Sequence, residues 1–141
     1  DLDLVITGAE YGKGKRSGWF SSFIVSCKGR SKGKYLEIGK VGTGVKEKLD
    51  QGLSFEELTN LINPLIIKQT GREVTIKPKI VVEVAYQEIQ ISPTYSSGYA
   101  LRFPRIIQLR EEKGLHDVYS LDEIKDFFKQ QGAKKLKWEV G

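Results

Sequence analysis

A chain of 141 residues with 15 glycines, one cysteine and a net charge of +5 is one domain by length, large enough to bury a core without disulfide or metal staples. Cys27 has no intrachain partner and, with His116 as the lone histidine, makes no zinc site; it is expected as a buried strand residue in a reducing, intracellular setting. No apolar run approaches the roughly 20 residues that span a bilayer, so the chain reads as soluble with no membrane partner. Methionine is absent even at position 1, so a processed or excised product is expected.

In chain order, Leu2-Asp3-Leu4-Val5-Ile6 begins a strand, and Gly8 to Gly18 reads as a loop of four glycines carrying Lys13, Lys15 and Arg16. Glycines there permit close approach of backbone to phosphate, but the loop leads into a strand and its Lys spacing is not that of a Walker loop. Trp19 to Lys28 is a second strand, Gly29 to Lys34 its hairpin turn, and Tyr35 to Val41 a third strand ending in Gly42-Thr43-Gly44. Residues 12 to 48 carry ten basic side chains against Glu37 and Glu47, an excess of +8. That density, which includes Lys40, is the footprint of a phosphate-backbone binder, whereas solubility charge usually intersperses both signs.

Ser54-Phe55-Glu56-Glu57 is a capping box, and Phe55, Leu58, Leu61, Ile62 and Leu65 recur at helical spacing until Pro64 stops the helix. Val74 to Ile76 forms a short strand. Ile80 to Ile91 is the longest strand signal; its apolar parity changes beyond Gln87, as at a bulge. Glu83 and Glu88 fall on opposite faces unless that bulge intervenes, and imply no general acid or base. Ser92 to Gly98 is a hydroxyl-rich turn. Ser120-Leu121-Asp122-Glu123 is a second capping box, opening a helix with Leu121, Ile124, Phe127 and Phe128 on one stripe that should end before Gly132. Lys134 to Lys137 and Trp138 belong to a basic tail over 133–141, which leaves 1–132 as the domain proper.

The stretch Tyr99 to Gly114 does not fit a simple strand. Leu101, Ile106, Ile107 and Leu109 are strand-like, but Arg102-Phe103-Pro104-Arg105 interrupts them. Pro104 cannot donate to a ladder, so it marks an edge or bulge and turns the aromatic between two arginines toward solvent. At its far end, Arg110 and Lys113 stand three residues apart where the chain leaves the sheet and both can reach one polyphosphate; on spacing alone a solvated strand end is the alternative.

Arg102-Phe103-Pro104-Arg105 followed by Arg110-Glu111-Glu112-Lys113 resembles the last nucleotidyltransferase motif of replicative ATP-dependent DNA ligases of the archaeal and eukaryotic type, in their C-terminal OB-fold domain. Gly8-Ala9-Glu10-Tyr11-Gly12-Lys13-Gly14-Lys15-Arg16, Gly39 to Gly44, and Val84 to Tyr95 extend the resemblance over nearly all of residues 1 to 130. It implies a mainly β fold, a small Greek-key OB barrel with one inserted helix and a C-terminal helix, as strand count alone does not. It also implies a domain that closes on a nucleotide during enzyme adenylation, with Arg110 and Lys113 as catalytic cations at the departing pyrophosphate. The domain then swings onto the minor groove of nicked duplex DNA, with Arg102, Phe103 and Arg105 in the groove and Lys13, Lys15, Arg16 and Lys40 on the backbone.

Glu112 stands where the family often has Asp, a change that keeps the charge. No Lys-x-Asp-Gly occurs, so the adenylated lysine is expected outside these residues, and this segment alone is expected to be inactive. By the same resemblance, ATP and Mg2+ are held mainly by an adenylation domain, and the partners are nicked DNA, the adenylation and DNA-binding domains of the same enzyme, and a sliding clamp reached through other domains. An archaeal enzyme would act in the cytoplasm and a eukaryotic one in the nucleus. Two other readings stay open: a stand-alone OB module that stacks single strands on Trp19, Tyr35 and Phe103, and the OB domain of an RNA-capping guanylyltransferase.

Overall fold

The computed structural model describes residues 1–13, 18–42 and 54–140; Lys15 and Arg16, and the expected Gly42-Thr43-Gly44 loop beyond Gly42 with Lys46 and Lys48, lie outside the described residues. Nine strands and two helices follow in order: β1 (Leu2–Tyr11), β2 (Phe20–Lys28), β3 (Tyr35–Gly42), α1 (Phe55–Ile62), β4 (Ile66–Thr70), β5 (Glu73–Ile76), β6 (Val81–Ala85), β7 (Glu88–Ile91), β8 (Tyr99–Arg102), β9 (Arg105–Leu109) and α2 (Leu121–Val140). Short 3₁₀ turns lie at Asn63–Leu65 and Leu115–Asp117.

The long first strand organises the sheet. One edge of β1 pairs antiparallel with β2, while the other edge takes β6 along Leu2 to Val5 and β5 along Gly8 to Glu10. A register shift between Ile6 and Gly8 bends the strand where its partner changes, as a bulge does in a closing barrel. Gly8 is required there, because a Cβ would lie 3.2 Å from the Val74 carbonyl oxygen and 3.4 Å from the Ile24 side chain. The sheet continues β3-β2-β1-β5-β4, with β9 on β6. A separate strand, β8, lies against β3, and just before it Ser97 N donates to Glu37 O at 3.2 Å and Ser96 Oγ accepts from Glu37 N at 2.9 Å. The result is a small antiparallel OB-type barrel, mainly β as the sequence leads one to expect.

Leu2, Leu4, Ile6, Phe20, Phe23, Val25, Cys27, Ile38, Val82 and Val84 fill its interior, and Leu58, Ile62 and Ile124 bring the helices into the same core. Truncating a buried leucine such as Leu4 would cost about 2 to 5 kcal/mol. The capping box at Ser120 forms in full, Ser120 and Glu123 exchanging bonds of 3.0 and 3.2 Å, whereas at Ser54 the structure gives one half of the box, Glu57 N donating to Ser54 Oγ at 3.1 Å.

Five local expectations change. Gly8 to Tyr11 belong to β1, so the glycine loop starts at Gly12. The Ile80 to Ile91 signal is two strands: at Tyr86 and Gln87 the chain leaves the main sheet, and β7 pairs with β8 in a separate hairpin. A bulge would have kept one ladder; here the parity change reflects a change of sheet. The Tyr99 to Leu109 strand also divides, into β8 and β9 around Phe103-Pro104. The β4 strand was not anticipated: it is exposed along Ile67 to Thr70 and lacks alternation, although the Gly71 turn marks its end. Finally, α2 runs past Gly132 to Val140, taking the backbone of the basic tail with it. Gly132 lacks the positive φ of a C-capping glycine, and within a helix it costs only about 1 kcal/mol relative to Ala.

Candidate nucleic-acid interface

Phe103 occupies the corner between β8 and β9. Pro104 ends one ladder, and Phe103 itself takes φ +50°, the one positive φ outside glycine among the described residues. The residue is 72% exposed, against 6% for Leu101 two residues earlier. The Arg102 guanidinium lies 5.1 Å from the ring centroid, and its Nη1 donates to Glu88 Oε1 at 3.1 Å. Arg105 is exposed on the other side of the proline, opposite Ala85 in the β6 ladder. Ala85, Tyr86, Gln87, Phe103 and Arg105 line a shallow hollow here. The corner therefore presents an aromatic face between two cations, suited to lying against base edges while the guanidinium groups meet phosphate or groove. An exposed pair such as Arg102–Glu88 is worth about 0 to 1 kcal/mol, so an incoming phosphate can replace it.

Arg110 and Lys113 are brought together at the other end of β9, on one turn closed by Lys113 N donating to Arg110 O at 3.1 Å. Arg110 N donates to Val81 O at 2.8 Å, extending the ladder one residue beyond the strand. Five residues at about 3.4 Å each place Arg110 roughly 17 Å from Arg105. Unlike Arg102, Arg110 is enclosed: its side chain is 23% exposed and three carboxylates surround it. Nε lies 2.8 Å from Glu112 Oε1 and 3.9 Å from Asp3 Oδ1, and Nη1 lies 3.5 Å from Glu83 Oε1. The buried Nε makes no aligned hydrogen bond despite those distances. Burial opposes its charge, but Asp3, Glu112 and Glu83 outweigh burial and raise the guanidinium pKa above its already high value. Gln108 Nε2 donates to Glu83 Oε1 at 2.6 Å and steadies that carboxylate.

The basic segment is divided among several places. Lys13 is exposed beyond β1, and Lys40 is exposed on β3 with Nζ 3.0 Å from Glu10 Oε2; Arg72 lies 3.8 Å from Glu10 Oε1. The Lys40 hydrogen bond, helped by the charges of Lys40, Arg72 and Lys13, holds the Glu10 carboxyl below its usual range against the opposing effect of burial. On the β2–β3 hairpin, Lys28 Nζ donates to the His116 carbonyl at 2.8 Å and Arg30 pairs with Asp122 at 3.1 Å. Part of the +8 is thus committed to internal contacts.

Sequence reasoning missed Asp3, Glu83 and Gln108 as neighbours of Arg110, and Glu10 as the partner of Lys40. Gln108 was open to the two-residue period of a strand, but only strand pairing brings Asp3 and Glu83 to Arg110 and Glu10 to Lys40, and no local spacing signals that. Cys27 is fully buried in the core, and burial pushes its thiol up to about 11, which leaves it a structural residue and no nucleophile. Among the described residues, no group of three or more His, Cys, Asp or Glu is arranged to hold a metal ion, and no helix is long and apolar enough to cross a membrane.

Residues 16–113 match the family described as ATP dependent DNA ligase C terminal region. A DNA ligase of Nanoarchaeum equitans is 54% identical over 132 residues, which cover 92% of this chain and 23% of that protein. For a DNA ligase of Archaeoglobus fulgidus the identity is 48% over 130 residues, covering 92% and 22%. The chain therefore spans under a quarter of the length of either relative. The ligase domain of M. tuberculosis LigD superposes with a TM-score of 0.60 at 24% identity, over 83% of this chain and 37% of that one. A mycobacterial DNA ligase D complexed with ATP and MES gives 0.59 at 23%, over 83% and 36%. At those identities the structures establish a shared fold.

Proposed function

The chain belongs to the family of ATP-dependent DNA ligase C-terminal regions, and from that premise we propose that it serves two steps of nick sealing in two orientations. In the first, the domain closes over ATP held by an adenylation domain outside this chain. Arg110 and Lys113 then neutralise the charge that builds on the leaving pyrophosphate, a stabilisation worth most where water is excluded. Any Mg2+ is held with the nucleotide by residues of that other domain. In the second orientation the domain lies across the minor groove of nicked duplex DNA. Phe103 rests against a base step, Arg102 and Arg105 lie in the negative potential of the groove, and Lys13, Lys15, Arg16 and Lys40 face the backbone. None of these contacts reads sequence, as suits an activity that must seal any nick. The enzyme would work inside the cell, in the cytoplasm if this chain shares the archaeal source of its relatives.

One observation carries the reading: the two cation sets stand at opposite ends of β9, so a single domain can offer one to a nucleotide and the other to DNA only by turning. The single-strand and capping readings require no such division, and a stacking module has no use for Arg110 and Lys113. The test uses the full-length enzyme. Lys113→Ala should slow self-adenylation while sparing the sealing of nicks that already carry 5′-adenylate; equal loss in both assays would defeat the two-orientation scheme. This 141-residue chain alone, incubated with radiolabelled ATP, should remain unlabelled.

A further inference from the structure

We propose that Asp3 and Glu83 are positioning residues for Arg110: they hold its guanidinium by the Nε and Nη1 side and leave Nη2 to meet the departing pyrophosphate. The inference rests on the two-orientation reading and extends it to residues that lie far from Arg110 in the sequence.

Strand register places these groups together. Asp3 pairs with Glu83 across β1 and β6, and Glu83 pairs with Gln108 across β6 and β9, so the three form a row on one face of the sheet. Arg110 lies two residues beyond Gln108 and therefore on the same face. Two carboxylates directly opposite each other on neighbouring strands repel. A cation set between them removes that repulsion, and Arg110 has one contact to each: Nε to Asp3 at 3.9 Å and Nη1 to Glu83 at 3.5 Å.

The surroundings separate a fixed side from a free side. Asp3 and Glu83 are 18% and 19% exposed, and Glu83 is further held by Gln108 at 2.6 Å. Glu112, by contrast, is 64% exposed and free to turn toward water. Guanidinium carries five N–H donors in a rigid fork. Nη1 donates to Glu83 and Nε lies near Glu112 and Asp3 without an aligned bond, while Nη2 has no hydrogen bond or ion pair among the described residues. An arginine held in this way has its rotamer freedom removed on folding, so none is lost when charge develops on the substrate. Arg102 differs in its own exposure, 47% against 23% for Arg110.

The test is a double-mutant cycle in the full-length enzyme, with Glu83→Gln and Asp3→Asn each made alone and together with Arg110→Ala. Self-adenylation is measured across ATP concentrations, and sealing of pre-adenylated nicks is measured separately. Glu83→Gln should slow self-adenylation about tenfold with sealing changed less than about twofold, and in the Arg110→Ala background it should add less than about twofold. Asp3→Asn should behave alike, which guards against a defect peculiar to one variant. A full tenfold loss persisting in the Arg110→Ala background, or equal loss in sealing, would show that the carboxylates act otherwise and overturn the inference. If Arg110→Ala slows self-adenylation and neither carboxylate variant does, the positioning role fails while the two-orientation reading stands. If Arg110→Ala leaves self-adenylation intact, that reading fails as well.

Discussion

The two ends of β9 carry the same kind of residue in opposite circumstances. Arg102 and Arg105 are exposed on either side of an outward phenylalanine, and Arg102, 47% exposed, pairs with Glu88. Some 17 Å away, Arg110 is half-buried among Asp3, Glu83 and Glu112. A guanidinium meant to meet a yielding, sequence-variable surface gains little from being fixed. One meant to meet charge that appears only in a transition state gains from being fixed in advance. On the proposed two-orientation reading, the contrast is that between a binding end at Phe103 and a chemical end at Arg110.

The largest expected effect tests the chemical end. Arg110→Ala in the full-length enzyme should lower the rate of self-adenylation roughly a hundred- to a thousandfold, the loss typical of one charge-stabilising contact. Sealing of pre-adenylated nicks should change far less. Comparable loss in both assays would erase the distinction between the two ends.

The binding end is tested next. Phe103→Ala should leave self-adenylation within about twofold and weaken binding to nicked duplex by roughly thirtyfold, as truncation of a well-placed aromatic contact of about 2 kcal/mol does. Titration of a labelled nicked duplex at fixed salt measures it. Sharper still is the response to removing a carboxylate. At the chemical end, losing Glu83 should impair function, because a fixed arginine loses its support. At the binding end, Glu88→Gln releases Arg102 from its 3.1 Å pair and should tighten duplex binding by up to about fivefold, the limit set by an exposed ion pair. Weaker duplex binding by Glu88→Gln would mean that Arg102 too depends on its carboxylate, and the two ends would no longer differ in kind.

What the sequence discloses divides along the same line. The shape of the Phe103 corner is legible because its signals are local: Pro104 announces the break in the strand, and Phe103 between two arginines announces an exposed position. The helix caps at Ser54 and Ser120 are local too, and both serines accept the expected backbone bond. The surroundings of Arg110 are not legible. Glu83 is 27 residues away by chain and 3.5 Å away in space, and only the pairing of β6 with β9 brings them together. For the same reason, the parity change after Gln87 looks like a bulge in one strand when it is a change of sheet: periodicity reports which face is buried, and says nothing of which strand lies alongside. Lys40 reads as a free cation until β1 and β3 bring Glu10 to it.

The smallest expected effect concerns the backbone at the corner. Phe103 holds φ +50°, a conformation that costs an L-residue roughly 1 to 2 kcal/mol and that glycine adopts freely. A residue 72% exposed returns little of that by burial, and its contact with Arg102 at 5.1 Å is an exposed one. Phenylalanine is thus a poor choice for the fold at this position and a good one for a surface that must reach outward. Phe103→Ala keeps the strain, since alanine has the same Cβ, whereas Phe103→Gly relieves it and raises the entropy of the unfolded chain in partial offset. Phe103→Gly should therefore be more stable than Phe103→Ala by about 0.5 to 1 kcal/mol, or about 2 to 4 °C in melting temperature for a chain of this size. Both variants should lose duplex affinity alike. Thermal unfolding of the two, side by side, decides it: equal stability would mean that the corner is unstrained in solution, and unequal duplex affinity would mean that backbone shape, more than the ring, makes the contact.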